Sequence, residues 1–194
     1  NLMHRDTAES YTYDNANGNL VQKVQYGEVL ANNDGTFVDI GSDTFTTDYR
    51  YAVNVGLYIV GLPSQTTITD QSAIKVKQSN LYYDGYVSGI VTKGNLTRQQ
   101  DWKSGISYIN SYKTYDGVYG LVSAGTDALW NVTQISYDVY NLYPIVVTNA
   151  SNQITSYVYE YSSGQVLQKT DPNGSVGQNI YDGLGRLIEE KTSD

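Results

Sequence analysis

The 194-residue chain has no cysteine, one histidine, two phenylalanines, two tryptophans and three prolines. The missing cysteine excludes disulfides, thiolate metal sites and a cysteine nucleophile together. The single histidine, His4, lies close to the start of the chain. A Ser/His/Asp triad would need that end to fold into a cleft, so a surface residue is the preferred reading. Positive charge is also scarce, with 12 basic residues against 20 acidic ones and a net charge of −8. Nucleic-acid binding needs clustered Lys and Arg, so no such partner is expected, and an anionic membrane surface is disfavoured for the same reason. No apolar run approaches the ~20 residues of a spanning helix, and the opening "NLMHRDTAES" has no signal-peptide core. This segment is therefore not expected to insert into a membrane, and no cofactor is implied.

What is abundant is tyrosine, 20 residues, and glycine, 18. Together with many Asn, Ser and Thr and little Lys, this composition leans toward a secreted or cell-surface protein of bacterial type. Sequons at Asn95, Asn131, Asn149 and Asn173 are no more than this composition supplies, and they carry no weight as glycosylation signals. Apolar residues alternate with period two. In "TDYRYAVNVGLYI", Tyr49, Tyr51, Val53, Val55, Leu57 and Ile59 share one parity, which predicts a strand. Likewise "AIKVKQ" sets Ile74 and Val76 against Lys75 and Lys77, and "ITSYVYEY" puts Tyr157, Tyr159 and Tyr161 on one face. Tyrosine faces pack by their rings while their hydroxyls meet water or a polar surface. Only "TRQQDWKSGISYINSY" has a helical reading, which Gly105 weakens.

The pair Tyr-Asp recurs before glycine-rich turns: Tyr13-Asp14, Tyr83-Asp84, Tyr115-Asp116, Tyr137-Asp138 and Tyr181-Asp182. Tyr115, Tyr137, Tyr159 and Tyr181 fall 22 apart, with the third unit phrased around "YSSGQVL", Tyr161 and Gly164. Such a period holds two strands and two short turns, so each unit reads as a β-hairpin stacked on the next. Asp182 is placed to accept backbone N–H bonds of its turn, Gly185 to adopt positive φ, and Leu187 to restart the buried face. Arg186 is either a cap on a tyrosine ring or a partner for a repeat aspartate. The second turn of the unit is "TDPNG", where Asp171 precedes Pro172, which presets φ, and Asn173-Gly174, which supply positive-φ residues.

On these residues, "YDGLGRLIEE" at 181–190 and "KTDPNG" at 169–174 resemble the YD repeats of the Rhs family. The run from "YDVYNLYP" to "KTDPNG", with "YRYAVNVGLYIVGLP" and "YYDG" upstream, is more closely similar to the repeat region of the B component of bacterial tripartite insecticidal toxin complexes. The likeness runs from about Tyr11 to the C-terminus; it is specific over 137–190 and vague over 27–48. It implies a repeat sheet spiralling into a hollow shell that encloses a toxic polypeptide. Residues 1–110 then hold degenerate repeats and 111–194 the clearer ones. Two departures stand out: Asn141 replaces a glycine, and an additional residue precedes Gly18 and Gly120. The family's self-cleaving shells carry a cleavage motif with Leu after Gly, which "DPNGS" lacks, so no autoproteolysis is assigned.

Catalytic and metal readings are weaker than structural ones. The regular placement of Asp14, Asp84, Asp116, Asp138 and Asp182 before turns favours capping over acid/base pairing. "LANNDGTFVDIG" has Leu30 and Gly41 at the first and twelfth positions of a calcium loop and fails as one; "NNDGT" reads as a hairpin turn. Trp102 and Trp130 read as core, and Glu189-Glu190-Lys191 as a solvated strand face. The expectation is an all-β, non-enzymatic repeat sheet, part of a toxin-enclosing shell. Its partners would be adjoining repeats of a longer chain or other copies, and an enclosed effector polypeptide. The alternative is a surface structural or adhesive repeat protein that binds glycans or neighbouring copies.

Overall fold

The structure, a computed structural model, describes residues 5–193; His4 lies outside them. The described residues form an all-β antiparallel meander of 15 strands with one 3₁₀ turn at Val55–Leu57. It divides into two compact units, Asn1–Asn110 and Ser111–Asp194. The first holds β1 (Asp6–Tyr13), β2 (Leu20–Ala31), β3 (Phe37–Asp39), β4 (Phe45–Asn54), β5 (Ile59–Asp70), β6 (Lys75–Tyr83), β7 (Leu96–Ser104) and the start of β8 (Ser107–Tyr115). The second continues from β8 through β9 (Val122–Thr126), β10 (Val132–Tyr137), β11 (Pro144–Thr148), β12 (Ile154–Glu160), β13 (Gln165–Thr170), β14 (Val176–Tyr181) and β15 (Leu187–Ser193). Strand order follows chain order; β3 alone leaves the path and pairs with β2.

Because the strands alternate in direction, successive turns fall at opposite ends of them. One end of each unit receives the turns that follow β1, β4, β6, β8, β10, β12 and β14. The other end receives those that follow β2, β5, β7, β9, β11 and β13.

Three sequence expectations change. The alternating run through Ile59 is two strands, because the 3₁₀ turn and Tyr58, at φ 57, reverse the chain between β4 and β5. The stretch with a helical reading is the β7–β8 hairpin, with Gly105 at φ +52 in its turn. Trp130 is 72% exposed rather than core, since it sits in a turn at φ 66. Its ring stacks on Tyr112 at 5.5 Å. Trp102, half-buried on β7, donates Nε1–H to Gly105 O and carries the Lys75 ammonium over its ring at 4.6 Å.

The first unit has a small core. Ala52, Tyr83 and Val91 are buried, with Ile59, Leu62, Leu81 and Leu96 packed against them. Val91 comes from the long loop after β6, and burying it contributes about 2 kcal/mol. Among the described residues of the second unit, no hydrophobic side chain is buried; the one buried residue is Asp138. Leu187, expected to restart a buried face, is 52% exposed, because β15 pairs only with β14 and nothing packs over its side chains.

Candidate functional site: the tyrosine–acid rim

At one end of each unit's own strands the same local device recurs. A bulge immediately precedes Tyr13, Tyr51, Tyr83, Tyr115, Tyr137, Tyr159 and Tyr181. In each case the extra residue lies on the returning strand, as Thr97 does between the pairs Tyr82↔Arg98 and Tyr83↔Leu96. A bulge interrupts the ladder, and the polar backbone groups it disturbs need other partners. The tyrosine hydroxyl two strands further on supplies one. Tyr51 donates to Leu20 O at 2.8 Å, Tyr83 to Pro63 O at 2.8 Å, Tyr137 to Val122 O at 3.2 Å and Tyr181 to Val166 O at 3.0 Å. Each acceptor is the residue paired with the previous rim tyrosine. The tyrosines thus tie one hairpin to the next, which a phenylalanine in the same place would not do.

The acids after these tyrosines face their own turns. Asp14 Oδ1 accepts from Ala16 N at 2.9 Å, and Asp116 Oδ1 from Leu121 N at 2.8 Å. Asp138 Oδ1 accepts from Leu142 N at 2.8 Å, and Asp182 Oδ1 from Leu184 N and Arg186 N at 2.9 and 3.0 Å. Asp84 goes furthest: it closes the loop 85–94 by accepting from the backbone N–H of Thr92, Lys93, Gly94 and Asn95 at 2.8–3.1 Å. Burial pushes the Asp84 carboxyl up, but the N–H groups of Lys93, Thr92, Gly94 and Asn95 outweigh it and hold the pKa at about 2. Burial also opposes the lowering at Asp116 and Asp138, and backbone N–H groups again prevail. At Asp182 the Arg186 backbone N–H and guanidinium do the lowering. Arg186 is thus an aspartate partner, with Nε and one terminal nitrogen both 2.7 Å from Asp182 Oδ2.

The third unit takes a different phase from the one "YSSGQVL" suggested. Tyr159 and Glu160 occupy the Tyr-acid positions, with Glu160 Oε1 accepting from Ser162 N at 3.1 Å. Tyr161 is the first turn residue instead. The Asp138 carboxylate raises its pKa, and Asp138 Oδ2 is buried without a hydrogen bond of good geometry. Tyr161 packs edge-on to Tyr140 and Tyr143, both at 5.7 Å, while Tyr143 stacks on Tyr159 at 4.8 Å. Gly164, at φ +75, lies under the Tyr143 ring, where a Cβ would approach the hydroxyl to 3.2 Å.

Turn length sorts the departures from the repeat. Asp14, Asp116 and Asp138 each bond through backbone N–H to the carbonyl five residues on, with Gly18 and Gly120 at φ 71 four residues after their acids and Asn141 at φ 56 one position earlier, three residues after Asp138. Asp182 bonds four residues on, and Gly185 sits at φ +80 beside Gln165. That shorter turn is also the unit of the opposite end. Asp70, Asp127, Asn149 and Asp171 each accept from the N–H groups two and four residues later. A left-handed residue follows three positions on: Ala73, Trp130, Asn152 and Gly174. Pro172 and Asn173 fill the first two positions of the turn at Asp171. "NNDGT" is such a turn as well, with Asn32 N donating to Thr36 O at 2.8 Å and Gly35 at φ 84. Sequence reasoning missed Asp70, Asp127 and Asn149 because alanine, tryptophan and asparagine occupy the left-handed position that glycine usually marks. It missed Tyr51 because no acid follows it. Among the described residues, no group of three or more His, Asp or Glu is placed to hold a metal ion.

No protein-family profile and no curated protein matches this sequence. The fold, however, is similar to part of the chains in toxin-complex crystal structures. Against TcdB2–TccC3 the TM-score is 0.68 at 11% identity, over 97% of this chain and 14% of that one. Against TcdB2–TccC3–Cdc42 it is 0.66 at 12% identity, over 90% of this chain and 13% of that one. The chain therefore spans about one seventh of the length of the chains it matches.

Proposed function

We propose that this chain is a non-enzymatic wall segment of a secreted or surface toxin complex, in which YD-type hairpins form part of a shell around an effector polypeptide. The observation that carries the reading is the rim itself. Hairpins added in chain order, four of them tied to the previous one by a tyrosine hydroxyl and most of them closed by an acid-capped turn, can be extended by further repeats of the same kind. The fold likeness to TcdB2–TccC3 supports the same reading. Carboxylates committed to their own turns leave the repeats a structural task.

The test uses the complete protein with its downstream region under limited proteolysis. Enclosed cargo is expected to resist digestion while the wall is intact and to become digestible when Gly164→Val and Gly185→Val open adjacent turns. Cargo equally digestible with the intact wall overturns the proposal. A second reading, adhesion to glycans, is favoured by one observation, the exposed Trp130 ring stacked on Tyr112. Loss of glycan binding in Trp130→Ala, with cargo never protected, would select it.

A further inference from the structure

Two Asn-Gly pairs occur, Asn17-Gly18 in the turn after β1 of the first unit and Asn173-Gly174 in the turn after β13 of the second. Asn-Gly is chemically labile because glycine lacks the Cβ that would hinder its backbone nitrogen. That nitrogen attacks the asparagine Cγ, a new N–C bond closes a five-membered succinimide, and the bond between Cγ and Nδ2 breaks. Ammonia leaves, taking up the proton released by the attacking nitrogen. Water then opens the ring to aspartate or isoaspartate.

The backbones of the two sites are closely alike. Both glycines have positive φ, +71 and +87. Both donate their N–H to the carbonyl of the turn acid, Gly18 to Asp14 O at 2.8 Å and Gly174 to Asp171 O at 3.0 Å. The asparagine side chains differ. Asn17 is half-buried and its Nδ2 donates to Asp14 Oδ2 at 2.8 Å, which restrains the rotation that attack requires. Asn173 is exposed, and only its backbone N–H is bonded, to Asp171 Oδ1. Its amide is free to turn toward Gly174 N.

We propose that Asn173 is a site of spontaneous, enzyme-free deamidation in the folded protein and that the Asp14 clamp protects Asn17 from the same reaction. This goes beyond a wall role, since the product alters the wall with time. Isoaspartate adds a backbone methylene inside a turn whose acid cap spans two and four residues, and either product places a negative charge next to Asp171.

The experiment incubates the full protein at neutral pH and 37 °C, folded and in urea, followed by trypsin and mass spectrometry with isoaspartate detection. The peptides ending at Lys23 and Arg186 each contain one Asn-Gly pair, so the sites are read separately. In the folded protein Asn173 is expected to convert several-fold faster than Asn17, and in urea the two rates should converge. Asp14→Ala should accelerate Asn17 toward the Asn173 rate. Equal folded rates, faster loss at Asn17, or the same ratio in urea as in the folded protein each overturns the proposal.

Discussion

The two units use the same turns but stay folded by different means. In the first, the twelve residues between β6 and β7 bring Val91 onto Ala52 and Tyr83, so a hydrophobic cluster forms beside the rim. In the second, every rim turn is short and no hydrophobic side chain is buried among the described residues. Strand ladders, stacked tyrosines and acid-capped turns carry the load there. One repeat grammar thus supports two regimes, one with a local core and one in which each hairpin depends on its neighbours. Damage in the first should be large and local, whereas in the second it should be modest and shared.

Asp84 tests this most severely. Asp84→Ala leaves four backbone N–H groups of the loop 85–94 without their acceptor and is expected to cost about 3 kcal/mol or more. Hydrogen exchange at Lys93 and Gly94 should rise to match. Asp182→Ala in the second unit should cost about 1 kcal/mol. The pH dependence has a definite sign. A carboxyl held at about 2 in the folded state contributes stability that is fully present above the unfolded aspartate pKa and disappears as pH falls through about 2. Acid titration of the wild type should therefore lose loop protection in that window, and Asp84→Asn should flatten it. Equal costs for Asp84→Ala and Asp182→Ala would erase the contrast between the units.

Sequence pattern made the strands and several caps legible because alternation and the Tyr-Asp pair are local signals. Asp182, Gly185 and Asn32–Thr36 could be read from spacing alone. The rim ties were not legible, since the partner of Tyr181 is a carbonyl on the preceding strand, exposed by a bulge with no composition of its own. Phase was lost at Glu160, where glutamate replaces aspartate and Tyr161 mimics the repeat tyrosine one turn too late. Burial was misjudged at Trp130 and Leu187 because an aromatic or leucine in a strand pattern is ordinarily covered, and here Trp130 is stacked only on Tyr112 and both side chains stay largely exposed.

Turn strain separates two glycines of the second unit. Gly185→Val adds positive-φ strain and a Cβ 2.8 Å from Gln165 Nε2, whose bond to Gly185 O it would displace. A loss of about 2 kcal/mol is expected. At Gly174 nothing lies within 4 Å, so Gly174→Val carries the strain alone, about 1 kcal/mol. Matched urea midpoints for the two variants would remove Gln165 from the account.

The hydroxyl ties compare the units at a single atom. Tyr83→Phe removes a buried donor to Pro63 O and should cost about 1.5 kcal/mol. Tyr181→Phe removes the equivalent bond to Val166 O where the ring is only half-buried, and should cost about 0.5–1 kcal/mol. A larger loss at Tyr181 than at Tyr83 would mean that the coreless unit relies on its ties more than the unit with a core does.

The smallest effect is expected at Arg186, although its two contacts to Asp182 are both only 2.7 Å. The side chain is 74% exposed, so water competes for the guanidinium and the ordering of a long side chain offsets part of the attraction. Backbone N–H groups already occupy Asp182 Oδ1 without it. Arg186→Ala should therefore shift stability by no more than about 0.5 kcal/mol, a shift that moderate salt should shrink further. Asp182→Ala, which removes the backbone bonds as well, should cost more and be nearly insensitive to salt. If Arg186→Ala proved as damaging as Asp182→Ala in a urea titration, the ion pair rather than the backbone cap would be what closes this turn.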